Sequence, residues 1–568
     1  MSDVSAVKPG TEIGQIVSGS LLEGLTMKLH PEGSVEDIRA GRFVVIEGAK
    51  NHYFSMITDV KLGTSTPGLM DDPPHRDDTL MRMVLSGTST YGTVELRPML
   101  MLPKADLNAL TPTLSRQGTG EGVSQDDLRP VKTIPGHFSP VRTATEADVS
   151  RIFGGEEADS KFFHIGAPLD MDEIPVCLNL ERFVERSNGI FGKSGTGKTF
   201  ITRIALCGII KNRKAVNLIF DMHSEYGWKG TFEGGRDAVR GLKQYFQDRV
   251  AVFTLDPESA RRRGVSVDFE VKIPFSQLTV DDIILLRDEL NLTPTTMETC
   301  YALVSRFGDE RWLGELLKMD SDDITTFCET NNVNQSSLSA LQRKLRVLAE
   351  SCRSFLIDDS QHGIDVDAVR QIVGYLQSGK HVVLEFGQHS HPMQYMLVAN
   401  ILTRRIHSAW VRMKEEAQSG GQAEPPQLVI TIEEAHKFLS PALAGQTIFG
   451  TIAREMRKYN VTLLVVDQRP SGIDPEILSQ VGTKITCLLN DDKDIDAVLT
   501  GVSNASGLRG VLASLDSKQQ ALVLGHAVPM PVVIQTRTYD DEDFRTSMAR
   551  GSGTDEQSVR RDIDKDFA

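Results

Sequence analysis

Cysteine is scarce in this chain and scattered. Six occur among 568 residues (Cys177, Cys207, Cys300, Cys328, Cys352, Cys487), and no two form a C-x-x-C pair. That pattern suggests neither a disulfide framework nor a zinc site. Each is most simply a small buried hydrophobe or a free thiol. Long apolar runs are also missing: none approaches the roughly 20 residues of a membrane span. Met1 to Gly10 lacks the apolar centre of a secretory signal. The expected location is therefore the cytoplasm, with no membrane partner. A basic excess is absent too, since 77 Asp and Glu outnumber 62 Lys and Arg and leave a net charge of −15. Proteins that simply coat nucleic acid are usually basic, so any DNA contact has to come from a local basic surface such as the lining of a ring.

What is present begins with length. So long a chain exceeds one core, and about two to four domains are expected. Composition is that of ordinary soluble protein, 40% hydrophobic and 24% charged. The most informative stretch is Gly192-Lys193-Ser194-Gly195-Thr196-Gly197-Lys198-Thr199, a G-x-x-x-x-G-K-T phosphate-binding loop. A short strand reading, Gly189-Ile190-Phe191, precedes it, and Phe200 to Leu206 reads as a helix. The glycines allow the backbone to wrap a phosphate with its amides pointing inward, and the helix adds the positive end of its dipole. Lys198 is expected on the β- and γ-phosphates of ATP, and the Thr199 hydroxyl on Mg²⁺. Phe200, first in the helix reading, is counted with the nucleotide-binding residues.

In chain order, residues 1–110 read as short strands with Gly and Asn turns, a small N-terminal β-barrel that includes strands over Met81–Leu85 and Thr93–Leu100. Residues 111–160, rich in Ser, Thr, Pro and Gly, read as a connector. Residues 161–277 and 379–540 carry apolar strands such as Ala215–Asp221, Gln427–Ile432 and Val461–Val466, as a buried parallel sheet requires. Between them, residues 278–378 lose the strand signal and show helical periodicity, an inserted helical bundle. Residues 541–568 are charged and read as a mobile tail.

Leu428-Val429-Ile430-Thr431-Ile432-Glu433-Glu434 is an apolar strand running into two acids. We assign Glu433 to the metal shell and Glu434 to the general base that polarises the attacking water. Gln468, at the end of the next strand, is placed to sense water or the γ-phosphate. Arg454 and Arg457 lie three apart on one helix face, from which an arginine finger can reach a neighbouring subunit's phosphate. Asp221 and Glu225 are read as tuning the metal or the water, and His223 and His436 as hydrogen-bonding residues. Three basic groups are candidates for a DNA channel: Arg261-Arg262-Arg263, Arg343-Lys344-Arg346 and Arg404-Arg405.

Taken together, these pieces resemble the HerA family of ring-forming P-loop ATPases in the HerA/FtsK branch. The matching stretches are Gly192–Thr199, Phe220-Asp221-Met222-His223-Ser224-Glu225-Tyr226, Glu433-Glu434-Ala435-His436, Ala453–Lys458 and Asp467-Gln468-Arg469-Pro470-Ser471. The resemblance implies an α/β fold, a RecA-like P-loop ATPase core with an N-terminal small β-barrel and an inserted helical bundle. It implies a homohexamer that threads double-stranded DNA and moves it by ATP hydrolysis. A NurA-like nuclease, or an effector of anti-phage defence, would dock on the barrel. It also implies that Arg454 or Arg457 acts in trans and that Arg186 stands close to the phosphates. Glu433 stands where the family often has Asp, Met456 where a Gly is usual, and Asn188 where a His is common. An ATP-gated scaffold that regulates an effector without processive DNA movement is the alternative reading.

Overall fold

The computed structural model describes residues 8–66, 73–75, 77–88, 90–104, 128–156, 160–228, 230–231, 238–358, 368–389, 391–420, 423–445, 447–502 and 505–550. Its N-terminal part has seven strands: β1 (Glu12–Ser20), β2 (Gly24–Leu29), β3 (Phe43–Glu47), β4 (Asn51–Thr64), β5 (Thr90–Pro103), β6 (Arg129–Pro130) and β7 (Pro140–Thr143). They hydrogen-bond in the order β2-β1-β7-β3-β4-β5, and β2 also pairs with β5, so six strands close into a barrel with β6 appended to β5. Alternation drives the closure. In β2 the side chains of Leu25, Met27 and Leu29 point inward while Lys28 is exposed, the period of two that a half-buried strand needs. Val44, Ile46, Ile57, Val94 and Val141 complete the interior.

Two expectations fail here. The stretch 111–160 is not a plain connector. Its 140–143 part is β7, which closes the barrel between β1 and β3, and Glu146–Phe153 is a helix. Four residues beside Ser, Thr and Pro are too short a run to read as a strand, yet Val141 is fully buried. Residues 105–127 lie outside the described part. Met81–Leu85, expected as a strand, lies in the helix Thr79–Thr88. A short apolar run does not distinguish helix from strand, and the deciding signal is Asp78, whose Oδ1 accepts the Met81 N–H at 3.0 Å as a helix cap does.

The second part is built on a twelve-stranded sheet. Eight strands are parallel, in the spatial order Phe269–Glu270, Val250–Thr254, His381–Glu385, Val216–Asp221, Leu428–Glu433, Val461–Asp467, Asn188–Phe191 and Thr483–Thr486. Four more continue it antiparallel: Gln520–Gly525, Val532–Thr536, Phe162–Pro168 and Val176–Asn179. The central strands are buried along their whole length, because helices such as Lys198–Lys211 and Pro392–Gln418 cover the faces. The result is the RecA-like α/β core with a barrel and a bundle.

The bundle comprises the helices Val280–Leu285, Pro294–Phe307, Trp312–Lys318, Ser321–Asn331 and Gln335–Ser351, followed by Ala368–Gln377. Trp312, fully buried, donates its indole N–H to the Leu278 carbonyl at 3.1 Å and so anchors the bundle to its root. Within it Leu356–Ile357 makes a short parallel bridge to Ile273–Pro274. At the C-terminus, the 541–550 part of the expected tail is not free: the helix Glu542–Arg550 docks through buried Phe544 and Met548. Residues 551–568 lie outside the described part. The helix Ala505–Ala513 packs on β4 and joins barrel to core, where a Cβ on Gly507 would meet Thr58 Cγ2 at 3.0 Å. Among the described residues, no helix is long and apolar enough to cross a membrane.

Candidate active site

The phosphate loop leaves the strand Asn188–Phe191 at its C-terminal end. Two backbone bonds seat it: Gly192 N–H to the Asp467 carbonyl at 3.2 Å and Lys193 N–H to the Leu488 carbonyl at 3.2 Å. A Cβ on Gly192 would stand 2.8 Å from both Cys487 Cβ and Thr196 Oγ1, so only glycine fits. Gly195 and Gly197 take φ of 82° and 94°, a region costly for other residues. Thr196 Oγ1 donates to the Lys193 carbonyl at 2.8 Å and closes the turn. Gly197 caps the helix Lys198–Lys211 without a side-chain bond, which leaves its first amides for an anion.

Facing the loop, a cavity of about 160 Å³ is lined by Lys193, Ser194, Gly195, Lys198, Thr199, His223, Glu225, Glu433, Glu434 and Gln468. Glu433 ends its strand, buried. Tyr226 donates its hydroxyl to Glu433 Oε1 at 3.0 Å, and the Tyr395 hydroxyl bonds both the Glu433 carbonyl and its N–H at 3.2 Å. Glu433 Oε2 is buried with no hydrogen-bond partner. Burial, then the charges of Asp221 and Glu225, push this carboxyl up to about 8, against the Tyr226 bond and the Lys198 charge. An orphaned oxygen in an acid-rich wall needs a cation. Together with the Thr199 hydroxyl, it fits Mg²⁺, which keeps several waters and binds one or two carboxylates plus substrate phosphates. Among the described residues, no group of three His, Cys, Asp or Glu could hold a metal by itself.

Glu434 has φ of 50°, a strain of order 1–3 kcal/mol for a non-glycine residue and typical of functional turns. Its Oε1 accepts the Gln468 amide at 3.1 Å. The turn is held by Asp467, which accepts the His436 N–H at 2.7 Å, the His436 ring at 3.0 Å and the Arg469 N–H at 2.7 Å. Burial alone would raise the Asp467 carboxyl, but the His436 bond and charge more than offset it and leave it below the usual range. The same bond raises His436. So the structure brings Glu434 and Gln468 together at the cavity with Lys198, Thr199 and Glu433.

Other expected residues fall elsewhere. Arg186 does not stand near the phosphates of its own chain. It is exposed at the N-terminal end of the strand whose C-terminal end carries the loop, beside Gly482. Arg454 is outside the cavity and meets Glu476 at 3.7 Å. The Arg457 side chain lies outside the described part. Phe200 turns away from the cavity, its ring 6.1 Å from Tyr539. Asp221 is not free to touch metal or water. It is buried, and its oxygens accept the N–H groups of Glu225 (2.8 Å), Tyr226 (2.8 Å) and Gly227 (3.3 Å). Glu225 and His223 do line the cavity. Motif reading missed Tyr226, Tyr395 and Arg203. Arg203 is buried on the phosphate-loop helix and bonds the Glu225 carbonyl, and its guanidinium lies 5.4 Å from the Tyr539 ring.

The basic triplets are partly structural. Arg263 pairs with buried Glu385, and Arg404 with buried Asp282 at 2.5 Å. Arg346 donates to the Leu317 carbonyl at 3.0 Å.

Residues 163–406 match the family model described as "Helicase HerA, central domain". The chain is 22% identical over 481 residues to the DNA double-strand break repair helicase HerA of Pyrococcus furiosus, covering 80% of this chain and 85% of that one. It is 24% identical over 533 residues to the protein of the same name from Sulfolobus acidocaldarius, covering 93% of each. Among solved structures, VirB4 of Thermoanaerobacter pseudethanolicus aligns with a TM-score of 0.43 at 15% identity, over 68% of this chain and 99% of that chain.

Proposed function

We propose that this chain, a P-loop ATP hydrolase of the HerA kind, is the subunit of a ring motor that moves double-stranded DNA. The observation that carries the reading is one cavity in which Lys198, Thr199, Glu433, Glu434 and Gln468 converge. In it the phosphate loop and Lys198 bind the triphosphate. Glu434 takes a proton from the attacking water, and Gln468, bonded to the base, orients that water. Thr199 and Glu433 would hold Mg²⁺, which would supply charge neutralisation at the phosphate oxygens. One charge is absent from this set. Among the described residues no arginine lines the cavity, while Arg454 sits partly exposed on another face. A guanidinium delivered by a neighbouring copy supplies what the cavity lacks, and a closed homohexamer is the assembly that does so at every site.

Duplex DNA as the object moved is our reading, supported by similarity to relatives named DNA double-strand break repair helicase HerA. The closed barrel is the proposed dock for a NurA-like nuclease or a defence effector. The test is Glu434→Gln. ATP binding is expected to persist while hydrolysis, with and without duplex DNA, falls to background. Hydrolysis by that variant at the unaltered rate would refute the assignment, and a wild-type rate indifferent to DNA at low salt would refute the motor.

A further inference from the structure

The parallel sheet has a second cleft, at the opposite edge from the ATP cavity. It opens where the strands beginning at Val216, Val250, His381 and Leu428 start, and encloses about 670 Å³. Five residues of strand separate Val216 from Asp221, so the two sites are roughly 16 Å apart along the sheet. Four cationic side chains line this cleft, Arg213, Lys214, Arg249 and Lys380, against one acid, Asp248.

Most of that charge is uncompensated. Lys214 pairs with Glu181 at 2.7 Å. Arg249 bonds the Ile210 carbonyl and lies 5.7 Å from the Phe246 ring. Arg213 and Lys380 have no carboxylate partner among the described residues, and Lys380 lies 5.2 Å from the Tyr375 ring. Arg213 is close enough to Arg249 for its charge, after burial, to lower the Arg249 pKa. Gathering like charges costs energy that folding alone does not recover, and in a chain of net charge −15 this edge stands out.

The wall adds a neutral donor. His381 lines the cleft although only 2% exposed. Its Nδ1 accepts the Asn217 N–H at 3.1 Å, which fixes the ring proton on Nε2. Burial, then the Arg249 charge, hold its pKa near 3, so the ring stays a neutral N–H donor. On the rim, Gly379 has φ of 81° and nothing within 4 Å of where a Cβ would stand, and Ser378 is exposed. Cations and a bare backbone suit phosphate oxygens. A cleft open along its rim suits a polymer passing over it better than an enclosed small ligand.

We propose that this cleft binds the phosphate backbone of duplex DNA, at a place separate from the ATP cavity. The proposal rests on the reading of the chain as a DNA motor. It gives an acidic protein the local basic surface that DNA binding requires.

The test uses the full chain and a fluorescent duplex, with binding measured across a salt series. For Arg213→Glu/Lys380→Glu, affinity is expected to fall at least tenfold, and the slope of log K against log salt by about 2, one for each phosphate no longer neutralised. DNA-free ATP hydrolysis is expected to be unchanged, since neither residue lines the ATP cavity. Arg213→Lys/Lys380→Arg is expected to retain binding. A photo-crosslinking residue at Ser378 is expected to capture the duplex. Unchanged affinity and slope with no crosslink would overturn the cleft alone. Failure of the wild type to bind duplex at any salt would overturn both the cleft and the motor reading. Loss of inorganic tripolyphosphate binding by the double variant, with duplex binding intact, would assign the cleft to a small phosphate and overturn the proposal.

Discussion

The two edges of one parallel sheet are built by opposite rules. At the C-terminal edge, four neighbouring strands end in acids: Glu385, Asp221, Glu433 and Asp467. All four are buried, and each is held by backbone amides, a tyrosine, a histidine or an arginine. At the N-terminal edge the charges are mostly cationic and nearer the solvent, and among the described residues Arg213 and Lys380 have no carboxylate partner. A buried acid with well-placed partners positions chemistry. Solvated cations without partners await a polyanion and tolerate imprecision. The difference teaches that geometry has to be fixed at one edge and only charge at the other, so substitutions at the two edges should differ in kind.

The largest effect is expected at the acidic edge. Lys198→Ala should abolish ATP binding, and Glu434→Gln should lower turnover by about 10²–10⁴-fold with binding retained, both read by nucleotide titration and steady-state hydrolysis. Next is Arg404→Ala, which leaves the Asp282 carboxylate buried with only Asn400 and its own helix cap as partners. Because Arg404 is itself about a quarter exposed, the low end of the cost for a broken buried pair applies, about 3 kcal/mol in denaturant unfolding. Tyr226→Phe removes the hydroxyl from Glu433 and should cost about 1–3 kcal/mol at that carboxylate. It should appear as a raised half-saturating Mg²⁺ concentration with a smaller change in ATP binding. Equal changes in both would mean that the tyrosine only packs.

The smallest effect lies in the barrel. There Arg142 bonds Asp148 at 2.7 Å and Glu47 at 2.8 Å, tying β7 to the helix that follows. Burial alone would raise the Asp148 carboxyl, yet the Arg142 and Thr145 bonds bring it below the ordinary value. A lowered folded-state pKa stabilises above the unfolded value, roughly 3.9, and that stability is lost as pH falls through the folded value. Arg142→Met should therefore lower the melting temperature at pH 7 and flatten its decline below about pH 4. A parallel decline in both proteins would reject the coupling.

Much of the acidic edge was legible in the sequence, because each strand that carries a functional residue is an unbroken apolar run with its acid at the end. Leu428–Glu433 and Val461–Asp467 need no context to be read. Arg186, expected near the phosphates from the family resemblance alone, lies within its own chain at the far end of the strand that leads to the phosphate loop. The clamp on Glu433 was illegible, since Tyr226 and Tyr395 reach it from 207 and 38 residues away. So was the basic cleft. Arg249 and Lys380 are single cations, and Arg213 only part of the short basic run Lys211–Lys214, until three strand starts set them side by side. In the conspicuous basic groups, helix spacing spreads consecutive arginines around an axis and lets Arg263 and Arg404 turn inward to acids. In the barrel, the strand that closes the ring was hidden by its brevity.

Asp467 serves three masters within one residue. Its carbonyl receives the first amide of the phosphate loop, its carboxylate pins the turn that presents the base, and the next residue along the chain touches that base. Such a joint has no slack. Whatever displacement accompanies the loss of a phosphate, loop, base and sensor must travel together as one block. Any give then lies outside that block, and in a ring it would fall at the face where one subunit would meet the next.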